Sequence, residues 1–139
     1  MKTIAEMLTD LHDQIAAWDG IESVPHRFGG TEFKFGKVEI GHFHRGGMVD
    51  IPFTRALRDV LIAEGSAEPH HLLHESGWIT YYVRSEDDAR SAQRLFRLSY
   101  LHKVARRGRL TPDALRADLD GLHASDALRA LIDKPVNAS

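Results

Sequence analysis

Residues 33–51 read FKFGKVEIGHFHRGGMVDI. Phe33 and Phe35 alternate with polar residues, Gly36-Lys37 has the makings of a tight turn, and Val38, Ile40, His42 and His44 alternate again. A period of two is the mark of strands that turn one face to a core. Arg45-Gly46-Gly47 supplies a second turn, and Met48 to Ile51 a third short strand. The segment from Val24 to Ile51, entered through Gly29-Gly30, is therefore expected to be a β-meander of three strands.

The flanks read differently. Thr3 followed by Glu6 makes a capping box, and Ile4, Met7, Leu8, Leu11, Ile15 and Trp18 repeat at helical spacing, which predicts a first helix over 4–19. On the other side Pro52 suits the first position of a second helix over 52–64, with Phe53, Leu57, Val60 and Leu61 on one face and Gly65 as its stop. His70 to Leu73 reads as a short strand, Glu75-Ser76-Gly77 as a turn, and Trp78 to Val83 as a strand rich in β-branched and aromatic residues. Ser85, with Glu86, Asp87 and Asp88 behind it and Lys103, Arg106 and Arg107 at the far end, frames a long third helix that ends before Gly108. Thr111-Pro112 and Ser125 open two short amphipathic helices. The order α-β3-α-β2-α lacks the βαβ alternation of a parallel sheet. It predicts an α+β fold: an antiparallel sheet of about five strands with flanking helices over residues 1–108, plus a C-terminal helical appendage of the same domain over 109–139.

Composition narrows the function classes. A chain of 139 residues fits one domain. With 18 basic and 20 acidic residues the net charge is −2, so no whole-molecule field attracts nucleic acid or an anionic membrane, and neither is an expected partner. There are no cysteines, which removes disulfides, thiolate nucleophiles and thiolate metal sites. The N-terminal MKTIAEMLTDLHDQ lacks the apolar run of a signal peptide and no stretch approaches a membrane span, so a cytoplasmic location is expected. Phosphate loops, dinucleotide fingerprints and the Gly-x-Ser-x-Gly elbow are missing.

What stands out is histidine. Of the nine in the chain, six fall between residues 26 and 74. His42 and His44 are two apart on a predicted strand, so they share a face, and in phase with Val38 and Ile40 they are expected level with them. Such a pair can act as general base and as donor to a developing anion, or can simply pair with Glu39 or Asp50. It could also hold a divalent metal with Asp50, Glu39, His26 or one of the second histidine pair as a third ligand, but no HExxH spacing supports that, and no resident metal is expected. His70 and His71 point opposite ways if their segment is extended, so one of them faces the first pair. His71 is taken for that role, and His74 for solvent. His26-Arg27 beside Gly29-Gly30 could clamp an anionic oxygen. Trp78, Tyr81, Tyr82 and Tyr100 either wall a site for a planar ligand or fill the core. Arg27, Glu39, Asp50, Trp78 and Tyr82 make up the expected substrate-binding set.

Taken in order, PHRFGGTEFKFGKVEIGHFH (25–44), VDIPF (49–53), EPHHLLHESGWI (68–79) and LSY (98–100) resemble the luciferase-like domain family, which includes the fungal luciferases. The resemblance spans roughly residues 23–104. It implies a pocket for a planar, enolisable molecule and a reaction with molecular oxygen as co-substrate, without flavin or metal. Histidine acid–base chemistry meets that demand, with His42, His44 and His71 as catalytic candidates and Arg27 as anion clamp. A fainter similarity, in element order and in the placing of Trp78 and Ser99-Tyr100, is to the YjbR-like proteins, whose α+β fold resembles that of secretion chaperones. The expected function is a luciferase-like small-molecule-binding domain working as a cofactor-independent oxygenase. The alternatives are a non-catalytic YjbR-like module binding protein or nucleic acid, and a histidine-ligated metal-dependent hydrolase. The expected partner is a small-molecule ligand, with a homodimer as a further expectation.

Overall fold

Thr3 accepts a hydrogen bond from the Glu6 backbone N–H while the Glu6 side chain reaches back to Thr3, and this capping box opens helix α1 (Ile4–Ala16). The computed structural model describes residues 1–133. After α1 come strands β1 (Ile21–His26), β2 (Gly30–Phe35), β3 (Val38–Phe43) and β4 (Met48–Pro52), helix α2 (Arg55–Ala63), strands β5 (Glu68–Pro69) and β6 (Trp78–Tyr82), and helices α3 (Glu86–Arg106), α4 (Pro112–Gly121) and α5 (Asp126–Ile132). The strands form one antiparallel sheet in the order β1-β2-β3-β4-β6-β5. The α+β class, the antiparallel sheet and the flanking helices are as the sequence predicts, with six strands in place of five.

One face of the sheet is apolar. Phe33, Phe43, Val49, Ile51 and Ile79 are buried there and form a single core with Leu11 and Ile15 of α1 and Leu95, Phe96 and Leu101 of α3. Leu115 and Leu119 of α4 and Leu128 and Ile132 of α5 belong to the same core. The C-terminal helices thus help to bury it, and residues 134–139 of the predicted appendage lie outside the described residues. No helix among the described residues is long and apolar enough to cross a membrane.

Helix α1 ends at Ala16, three residues before its predicted end, and three further differences from the sequence reading have a local reason. The extra strand β1 carries Ser23 and Pro25, which break the β pattern; it lies at the sheet's edge, where a proline without an N–H is tolerated. Pro52 ends β4, paired with Trp78, instead of opening α2, whose N-cap is Thr54 through a bond from the Leu57 N–H. The fifth strand is Glu68–Pro69, and His70–Leu73 is not extended: His70 Nδ1 accepts the backbone N–H groups of Leu72 and Leu73 at 3.1 and 3.0 Å and so curls the chain.

A bulge in β3 corrects the phase of the pattern that decided the fold. Phe33 is opposite Gly41, yet Lys34 is opposite Glu39, so Ile40 is an extra residue without a partner on β2. Ile40 is wholly buried in the core. His42 instead stands in a polar row that runs across the sheet, Glu32 opposite His42, His42 opposite Asp50, and Asp50 opposite Thr80. His42 and Ile40 are therefore not level, and the bulge puts Glu39 within reach of His42. Ser99 of α3 donates to the Ile40 carbonyl at 2.8 Å, which satisfies the bulged residue. Lys103, one turn further on, donates to Ser99 Oγ at 2.7 Å and to the Pro52 carbonyl at 2.5 Å. Burial pushes its ammonium down to about 7, against a weaker upward pull from Glu39.

Candidate functional site

The polar row centres on Asp50, a carboxylate only 1% exposed. Strand pairing on both sides holds it: β3 brings His42 and β6 brings Thr80 directly opposite. Its two oxygens divide the surroundings. Oδ2 is 3.0 Å from His44 Nε2 and 3.3 Å from His42 Nε2. Oδ1 accepts from Thr80 Oγ1 at 2.7 Å and lies 3.4 Å from His71 Nδ1 and 3.5 Å from His70 Nε2. Burial would raise the Asp50 pKa, but its bonds from His42, Thr80 and His44 overrule that and hold the carboxyl well below the usual range. It is ionised.

His42 is the counter-charge. Burial disfavours its imidazolium, yet hydrogen bonds and charge from Asp50 and Glu39 win and raise it to about 9. Its Nδ1 meets Glu39 Oε2 at 2.6 Å, so both ring nitrogens are taken by carboxylates. That arrangement suits a ring that carries charge and fixes its neighbours more than one that takes a proton from a bound molecule. His26 stacks on it, ring centroids 4.0 Å apart, and has its own Nδ1 3.2 Å from Glu32 Oε1. His44 stands edge-on to His42 at 5.1 Å.

The second histidine pair departs from expectation. His70 and His71 do not point opposite ways; their rings are 4.1 Å apart and both reach Asp50. The turn that His70 Nδ1 ties together is the cause. With that nitrogen accepting two N–H groups, His70 is neutral and carries its proton on Nε2. Burial, helped by the neighbouring histidines and against an upward pull from Asp50, lowers its pKa in the same sense.

His71, by contrast, opens on solvent. With Thr80, Tyr82, Glu68, Pro69, His74 and Glu75 it lines a cleft of about 480 Å³. The 70–77 segment that makes one wall is pinned at Gly77, whose carbonyl accepts the Phe53 N–H at 3.0 Å and where a Cβ would lie 1.9 Å from the Phe53 carbonyl oxygen. Arg58 of α2 donates to the carbonyls of His74 and Ser76 from the other side.

Of the residues singled out in the sequence, the structure brings together His42, His44, His71, Glu39, Asp50 and Trp78, whose ring is 5.6 Å from that of His42. Tyr82 lies on the cleft wall with the Arg84 guanidinium 4.8 Å from its ring centroid. Arg27 is exposed in the turn between β1 and β2, and none of the hydrogen bonds among the described residues ties it to the cluster. Tyr81 and Tyr100 pack against the core. Sequence reasoning missed Thr80, Glu32 and the role of His70. The alternation of Trp78, Thr80 and Tyr82 in β6 held the signal for Thr80.

Residues 37–99 match the family model described as Luciferase domain. Over that stretch the chain is similar to a luciferase-like domain. The matched stretch runs from the start of β3 into α3 and holds Asp50, Thr80 and the histidines of both pairs, while His26 and Glu32 precede it. No curated protein and no solved structure matches the chain.

Proposed function

We propose that this luciferase-like domain is a small-molecule enzyme of the cofactor-independent oxygenase kind, with His71 as its acid–base residue in the cleft and Asp50 as the group that orients it. The observation that carries this reading is the coupling of a buried, ionised carboxylate to a histidine on an open cleft: His71 Nδ1 is 3.4 Å from Asp50 Oδ1 and 3.3 Å from Thr80 Oγ1. A proton on Nδ1 directed at these oxygens leaves the Nε2 lone pair free as a base. Tyr82 offers a flat wall for a planar substrate. In this reading His71 takes the enol proton, the electron-rich carbon of the anion reacts with molecular oxygen, and the charged His42 stabilises the ensemble from behind through Asp50.

The test is oxygen uptake by the purified protein with a panel of hydroxypyrones. His71→Gln should slow any turnover by roughly 10²–10⁴ while leaving the fold intact by circular dichroism. Uptake that His71→Gln leaves unchanged, or a panel from which nothing binds or reacts, would overturn the reading.

A further inference from the structure

The polar row has a second end, away from the cleft, that the acid–base reading does not use. We propose that His26, His42 and His44 form a binding site for a divalent transition-metal ion of zinc's class, with Glu32 and Glu39 behind the rings and Asp50 Oδ2 beside them.

Three features carry this. First, the three histidines, brought from β1, from β3 and from the turn after it, each offer a ligand atom within 4.8 Å of the other two. Zinc bonds of roughly 2.0–2.1 Å to tetrahedral nitrogen ligands set the ligands roughly 3.4 Å apart, so small ring rotations would close the site. Asp50 Oδ2 already lies 3.0 and 3.3 Å from the Nε2 atoms of His44 and His42.

Second, two of the rings are backed by carboxylates at the opposite nitrogen: His42 Nδ1 by Glu39 at 2.6 Å and His26 Nδ1 by Glu32 at 3.2 Å. A carboxylate there fixes the proton on Nδ1 and orients the ring, as is usual around metal-bound imidazoles; at His42 the ion takes the place of the Nε2 proton that otherwise faces Asp50. Third, the charge balance suits a dication, since Glu32, Glu39 and Asp50 place three carboxylates around the three rings. Imidazole donors favour zinc, nickel or copper over magnesium or calcium, which take oxygen ligands.

A rival set on the same face, Asp50, His70 and His71, also has its ligand atoms within 4.8 Å of one another. It fails on hydrogen bonding: His70 Nδ1 accepts two backbone N–H groups, so Nε2 holds the ring's only proton and an ion there would have to bind an imidazolate.

The proposal is independent of turnover and is tested by binding alone. The full chain, stripped with chelator, is titrated calorimetrically with Zn²⁺ and, separately, Mg²⁺. One Zn²⁺ per chain is expected and no Mg²⁺. Glu32→Gln should weaken zinc by roughly 10–100-fold and His26→Asn by more, whereas His71→Asn should leave the affinity within a factor of about three, circular dichroism confirming each fold. If His26→Asn does not fold, His44→Asn is read in its place. The proposal is overturned if zinc does not saturate, if His26→Asn or its substitute binds as the parent does, or if His71→Asn is the variant that loses the ion. Loss through His71 would leave the acid–base reading untouched when oxygen uptake is measured with chelator present.

Discussion

Replacing Asp50 by Asn tests whether the site is built around a buried charge. The carboxylate is 1% exposed, and it neutralises His42 at 3.3 Å, receives His44 at 3.0 Å and accepts from Thr80 at 2.7 Å. Removing one member of a buried ion pair costs about 3–5 kcal/mol, because the other charge is left without its partner. His42 retains Glu39 at 2.6 Å, and an amide oxygen can still accept from Thr80, so the loss belongs at the lower end, about 3 kcal/mol. With a urea slope of about 1.5–2 kcal/mol per molar, the midpoint should fall by about 1.5–2 M. The measurement is equilibrium urea unfolding in chelator, followed by circular dichroism and tryptophan fluorescence, with Asp10→Asn as a control. Asp10 meets Lys2 at 2.6 Å on the surface, both about half exposed, and its loss should leave the midpoint close to the parent's. A change of less than about 1 kcal/mol for Asp50→Asn, or no difference from the control, would refute the account of Asp50 as the counter-charge of the cluster.

Other outcomes follow from the packing. Burial, reinforced by Lys103 and Arg106, lowers the His102 pKa to about 4, so in the acid range the unfolded chain binds the extra proton and the folded chain does not. Stability from this residue is complete above about 6.5, falls between there and about 4, and sums to about 3 kcal/mol; the dependence of Tm on pH over that window should flatten in His102→Leu, and an unchanged slope would count against it. Gly77→Ala, whose Cβ would collide with the Phe53 carbonyl at 1.9 Å, should cost about 1–3 kcal/mol and loosen the His71 wall, seen as faster amide exchange over residues 70–76 and slower turnover; parental exchange rates would contradict it. Ser99→Ala removes the donor to the bulged Ile40 carbonyl and a partner of Lys103, and should lower stability by about 1–3 kcal/mol in urea unfolding. A neutral result would mean the bulge is held without α3.

Much of this was legible along the chain. Capping residues are local signals, and Thr3, Ser85, Thr111 and Ser125 cap where the sequence places them. The hairpin between β2 and β3 was likewise visible in Phe33, Phe35, Gly36 and Val38. The phase of His42 was not, because a bulge is set by cross-strand pairing, and Ile40 looks like one more member of an alternating series until β2 is laid beside it. The approach of His70 and His71 to one carboxylate was hidden for a similar reason: an extended dipeptide separates its side chains, and only the hydrogen bonds from Leu72 and Leu73 to a ring nitrogen bend it otherwise. Glu32 and Thr80 gained their places from strand neighbours 10 and 30 positions away in sequence, at His42 and Asp50.

The division of Asp50 between its two oxygens has a thermodynamic consequence. Oδ1 and Oδ2 belong to one rigid, enclosed group, so His44 and His42 on one side and Thr80 and His71 on the other cannot adjust independently. Whatever draws Oδ2 toward the first set turns Oδ1 with respect to the second. Events at the cleft and at the far end of the row are then linked, and linkage is reciprocal: an occupant of one end that alters affinity at the other must have its own affinity altered by the same factor.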